Sequence, residues 1–173
     1  LHFIPYKHET VGGTSASTSS SVDCCLLRVN PTVTIDNPEA SVLSLDISPG
    51  GHFIAVGCSD NFVRMYTFAE NGLPVAAGRL FAREDGVNKL RFSNSGTMLA
   101  TSSSNGGTCW LWKLQSCLWT GAELKLRKRP RCRPCLLQWT KDDRYLVVST
   151  KSGSVYVFLT ETGEVANVLR EYF

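Results

Sequence analysis

Two cysteines three positions apart, Cys132 and Cys135, close a run with six basic residues in nine positions: Lys125, Arg127, Lys128, Arg129, Arg131 and Arg133. A Cys-x-x-Cys pair is half of a structural zinc site or the centre of a thiol redox site. Clustered Arg and Lys neutralise phosphate and release its counterions. Zinc needs two more ligands, yet Cys109 and Cys117 are eight apart, and His2, His8 and His52 lie far away in sequence. A thioredoxin-like site needs a βαβ setting, which this chain lacks, although neighbouring cations would lower the pKa of Cys132. No metal and no cofactor are expected. The adjacent carboxylates Asp142 and Asp143 fall in a turn between apolar runs and read as turn residues. The stretch "SSNGGT" is a turn between strands, where a phosphate cradle needs a following helix. Nothing resembles a nucleophile elbow or a Walker loop, so no enzymatic activity is expected.

These residues sit in a chain of 173 residues, long enough for a real core. Taking the six cations of 125–133 from the 18 basic residues leaves 12 against 15 acidic, so the net charge of +3 becomes −3. The positive charge is local, unlike that of a globally basic nucleic-acid binder. No run approaches the roughly 18 apolar residues that span a membrane, and "LHFIPYKHET" lacks the pattern of a signal peptide. The seven cysteines are odd in number and include Cys58, Cys109 and Cys135 in or beside apolar runs, which points to free thiols in cytosol or nucleus. A start at Leu1 suggests a piece of a longer protein.

The elements that position these groups follow from an internal repeat. Residues 41–68, 86–114 and 135–160 share one order: apolar strand, polar turn, apolar strand, polar turn, strand ending in an aromatic. The apolar residues before the first turn, Ile47, Phe92 and Trp139, are spaced by 45 and 47. The aromatics closing the third strand, Tyr66, Trp112 and Phe158, are spaced by 46 and 46. Two anchors thus give one period. "SPGG", "SNSG" and "TKDD" carry the Gly, Asn, Asp and Ser of tight hairpins, and the strands are rich in β-branched and aromatic residues. A fourth strand follows each unit at 73–81, 117–126 and 165–172. Four strands at this period make a β-propeller blade. The fold class expected is all-β: a partial propeller of about three four-stranded blades plus a leading strand, "LHFIPY". Residues 1–40 would end a preceding blade with a Ser-rich insertion, "GGTSASTSSS". Blades would follow at 41–81, 86–126 and 135–173, leaving blade faces exposed at both ends.

The units resemble WD repeats. "GCSDNFVRMYTF" matches the ending GSxDxxVRVWD, with Asp60 at the turn Asp and Tyr66 at the Trp position, which Trp112 and Phe158 fill in the next two units. The turn Asp becomes Gly106 and Ser152, and no Gly-His pair precedes a unit. The buried hydrogen-bond network of WD blades should therefore be incomplete in the second and third units and replaced by packing. "ISPGGHFIAVGCSDNFVRMY", "RFSNSGTMLATSSSNGGTCWLW", Trp119 in the spacer and Trp139 before its turn resemble the bromodomain and WD-repeat family over roughly residues 35–170. That resemblance implies a chromatin-associated regulator of transcription, nuclear with a cytoplasmic pool. It also implies roles in cell shape and in recruiting substrates to a cullin–RING ubiquitin ligase through an adaptor. The bromodomains themselves are not in this sequence.

In a blade, the 127–134 stretch joins one outer strand to the next inner strand, on the face of "CSDN", "SSNGG" and "TKSG". The candidate interaction loop is Arg127, Lys128, Arg129, Arg131 and Arg133. It reads as a solvated inter-blade loop, a contact for phosphate or an acidic protein surface, or a nuclear-localisation signal. The leading functional expectation is a protein-interaction scaffold acting through its loop faces. The alternative is a phosphate-binding propeller that contacts nucleic acid or phosphoinositide through this loop. The Ser-rich stretch reads as a flexible insertion or, with nearly two charges added per phosphate, a regulated one.

Overall fold

A computed structural model describes residues 2–3, 33–34, 40–82, 86–103, 107–126 and 133–170. Leu1–Asp36 and Asn37–Phe173 form separate compact units. In the first, β1 (His2–Phe3) pairs antiparallel with β2 (Val33–Thr34). The Ser-rich stretch lies outside the described residues.

The second unit is three antiparallel four-stranded sheets. Their strands run in sequence order from inner to outer. The first blade is β3 (Val42–Ile47), β4 (Phe53–Cys58), β5 (Phe62–Phe68) and β6 (Pro74–Phe81). The second is β7 (Lys89–Phe92), β8 (Met98–Ser102), β9 (Cys109–Gln115) and β10 (Leu118–Leu124). The third is β11 (Pro134–Trp139), β12 (Tyr145–Thr150), β13 (Ser154–Leu159) and β14 (Val165–Arg170). The all-β partial propeller expected from the period is the fold observed. The segment 165–172 could pass for a short helix, but the "TETGE" turn before it delivers a strand paired along β13.

The first hairpin turn of each blade is built identically. The hydroxyl oxygens of Ser48, Ser93 and Thr140 accept hydrogen bonds from the N–H groups of Phe53, Met98 and Tyr145 at 2.9, 3.1 and 3.0 Å. The backbone closes twice more in each turn, for example Ser48 N–H to the Phe53 carbonyl and Gly51 N–H to that of Ser48. The fourth turn residue needs positive φ, supplied by Gly51 (70°), Gly96 (73°) and Asp143 (56°). Glycine adopts that region freely; an aspartate does so at a cost.

The core lies between blades. Ala55, Val63 and Met65 of the first blade meet Leu90, Phe92, Leu99 and Trp112 of the second. Leu111 and Leu124 of the second meet Leu137, Trp139, Leu146 and Phe158 of the third. β4 is buried along almost its whole length, whereas β3 beside it is largely exposed; β4 accordingly reads as a continuous apolar run. Each large side chain buried this way contributes about 1.5–3 kcal/mol. The faces turned away from the second blade keep apolar side chains half exposed: Leu45 and Ile47 on the first, Leu136 and Leu169 on the third.

Candidate functional site

The aromatic positions of the repeat are buried or half-buried. Trp139 and Phe158 are buried in the core between the second and third blades, and Trp112 in that between the first and second. Tyr66 is half-buried and pairs with Ile54 and Ala76. Asp60 receives Arg64 through two hydrogen bonds, 3.0 and 2.7 Å, and the Phe62 N–H at 3.3 Å. The guanidinium holds the Asp60 carboxyl below its usual range, against a smaller opposing effect of burial, and Asp60 in turn raises Arg64.

The expectation that packing replaces the buried polar network needs one correction. In the second blade the Trp112 Nε1–H donates to the Thr101 hydroxyl at 3.0 Å, both groups buried. That pair survives without a turn Asp or a His because β8 and β9 are adjacent strands and Thr101, whose register partner is Trp110, lies diagonally across from Trp112 on the same sheet face. In the third blade Phe158, which has no donor, is fully buried and stacks near Tyr156 at 6.1 Å, while the hydroxyls of Thr150 and Ser152 share a hydrogen bond of 2.9 Å.

Of the candidate interaction loop, Arg127, Lys128, Arg129 and Arg131 lie outside the described residues, as does Cys132. Arg133 is exposed, and its carbonyl accepts the Lys151 N–H at 2.9 Å. Cys135 is the extra residue of a bulge in β11, half-buried, with its thiol towards the Arg133 carbonyl at 3.6 Å. Among the described residues, no three His, Cys, Asp or Glu side chains gather where they could hold a metal ion.

The two carboxylates at 142–143 behave differently. Asp142 is exposed and accepts from the Thr140 hydroxyl at 2.6 Å, which lowers its pKa. Asp143 is buried and reaches the turn of the second blade. It accepts from the Asn94 N–H and Nδ2–H, both at 2.8 Å, and from the Ser95 N–H at 2.7 Å. Burial pushes its carboxyl up, but the donors from Ser95 and Asn94 outweigh it and hold the group below its ordinary value of 3.8. Sequence reasoning misses this role. The signal for it is in the aligned turns, where Asp143 stands at the position of Gly51 and Gly96.

Further bonds cross between blades. Asp46 accepts from the Phe92 N–H at 2.8 Å, and the Ser44 hydroxyl donates to the Val87 carbonyl at 2.8 Å. Trp139 Nε1–H donates to the Arg91 carbonyl at 3.1 Å, and Lys113 Nζ to that of Glu161 at 2.7 Å. An open cleft of about 230 Å³ lies along the inner strands, lined by Asp46, Arg91, Asn94, Gln138 and Trp139 among others. The arrangement is a stack of sheets stapled to one another, with two loop-bearing faces.

Residues 29–67 and 77–113 match the WD domain, G-beta repeat family. Over 137 residues, 74% of the chain, it is 33% identical to the chromatin assembly factor 1 subunit FAS2 homolog of Oryza sativa subsp. japonica. The match spans 27% of that relative's length.

Proposed function

We propose that this chain, which carries WD40 repeats, is part of a non-catalytic interaction scaffold that brings proteins together on chromatin. The observation that carries the reading is the 33% identity, over most of the chain, with a chromatin assembly factor subunit. The blade architecture supports it: staples between blades keep the loop faces in fixed relation, and a surface ordered before it meets a partner loses less entropy on binding. The test is affinity purification of the full-length protein from nuclease-solubilised chromatin. Enrichment of chromatin proteins over an unrelated propeller is expected, and none would overturn the reading.

A finer reading rests on the resemblance of residues 35–170 to the bromodomain and WD-repeat family. In it the protein is a nuclear regulator of transcription with a cytoplasmic pool. It acts on cell shape and serves as a substrate receptor for a cullin–RING ligase, joined through an adaptor. Bromodomain-coding sequence downstream of these blades is expected. A transcript that ends without it would refute the finer reading and leave the chromatin scaffold standing.

A further inference from the structure

The charged groups divide by face. Alternate connections of an antiparallel sheet emerge at opposite ends, so the first and third turns of every blade share one face. That face holds Glu70, Asp142, Asp143, Glu161 and Glu164, with Lys141 and Arg144 among them. The second turns and the blade-to-blade connections share the other face. There, around the third blade, stand Lys125 after β10, Arg133 before β11 and Lys151 after β12, all exposed.

Arg133 and Lys151 are joined directly by the backbone hydrogen bond between them, although 18 residues separate them. Lys125 and Arg133 stand at the two anchored ends of one connection. Leu124 is buried between the second and third blades with Leu126 packed beside it, and Pro134 is buried at the other end. Among the described residues none of the three cations has an ionic partner. Asp60, the described acid in a turn of this face, is already held by Arg64. Like charges gathered without counter-charges repel, and a partner rich in negative charge relieves that repulsion.

We propose that Lys125, Arg133 and Lys151 form a docking surface for duplex nucleic acid, contacting its phosphodiester backbone without reading base sequence. The duplex is favoured because it carries about one charge per 1.7 Å of axis, so that several exposed cations on one face can each meet a phosphate. Single strands are disfavoured because no aromatic residue occurs from 125 to 138 on which a base could stack. Arginine suits phosphate through its planar, paired donors. The site does not depend on the chromatin-scaffold reading, because it requires no protein partner.

The test is fluorescence anisotropy of the full chain with a labelled duplex of about 20 base pairs, of arbitrary sequence, titrated across salt. Binding should weaken steeply with salt. Arg133→Glu with Lys151→Glu should lower affinity about tenfold or more and reduce the salt slope by about two, one for each phosphate that is no longer neutralised. Lys141→Glu with Arg144→Glu, on the opposite face, should leave affinity within about twofold, since screening confines exposed charges to a Debye length. If the Glu pair unfolds the chain, Arg133→Gln with Lys151→Gln replaces it and should lower the affinity and the slope in the same direction. No binding at low salt, equal weakening from both faces, or preference for polyglutamate or a single strand over the duplex would overturn the proposal.

Discussion

The carboxylate of Asp143, in the first turn of the third blade, accepts the backbone N–H groups of Asn94 and Ser95 in the matching turn of the second, at 2.8 and 2.7 Å. The same link has no equivalent one blade earlier. The position of Asp143 is there Gly96, without a side chain, and that of Asn94 is Pro49, without an N–H. Holding an aspartate at positive φ costs about 1–2 kcal/mol. A hydrogen bond to a charged group returns about 1.5–3 kcal/mol each, so the clasp wins. Asp143→Ala should keep the backbone cost, remove the clasp and destabilise by about 2–4 kcal/mol. Asp143→Gly also removes the clasp but relaxes the turn and should cost less. Urea unfolding of the three chains checks this, and equal costs for the two variants would refute it.

Acid should loosen this clasp, and with it the Asp60–Arg64 pair of the first blade. The Asp60 and Asp143 carboxyls are held below their ordinary 3.8, by Arg64 and by the Ser95 and Asn94 donors respectively. A group with a depressed folded pKa stabilises fully above its unfolded pKa, and that contribution is lost as pH falls through the folded value. Stability should therefore hold from neutral pH down to about 5, then fall below about 4. Urea midpoints from neutral to acid check it, and Asp143→Asn should flatten the acid limb.

Trp112 depends on a missing side chain. Its ring lies against Gly121 on the neighbouring strand, and a Cβ there would overlap the six-membered ring. Gly121→Ala should displace the indole and cost about 1–3 kcal/mol, with a red shift of tryptophan emission and a lower melting temperature. Trp112→Phe leaves the buried Thr101 hydroxyl without its donor and should cost more in the wild-type background than in Thr101→Val. Additive costs would show that the hydrogen bond contributes nothing.

Thiol labelling should discriminate among the cysteines. Cys109 is fully buried, and burial pushes its thiol up to about 12. Cys58 is equally buried, whereas Cys117 is exposed in a tight turn at φ 65°. Only the thiolate is nucleophilic. Iodoacetamide on the native chain, read peptide by peptide, should modify Cys117 well before Cys58 or Cys109, and denaturant should abolish the difference. Early labelling of Cys109 would mean that the second blade opens far more readily than its packing allows.

The repeat and the three-blade architecture are legible in the sequence because the period survives in residue type. Ile47, Phe92 and Trp139 end inner strands, and Gly51 and Gly96 close turns, for local reasons of pleat and φ. The candidate site is less legible. Lys151 is 18 residues from Arg133 and outside the basic run, and only the pairing of β11 with β12 makes them neighbours. Asp143 reads as a turn residue because its partners, Asn94 and Ser95, lie almost 50 positions away. The Thr101–Trp112 pair is hidden because it does not need the Asp or His that mark a complete WD network in sequence.

What the sequence determined by itself is what depends on neighbours along the chain: strand and turn order, the 46-residue repeat, and the collection of positive charge in one connection. Which of two adjacent carboxylates is a solvated turn residue and which staples two blades was decided by tertiary structure alone. So was which cations share a surface. Burial and hydrogen bonding in a propeller are settled between blades, where the atoms that meet come from positions one full period apart.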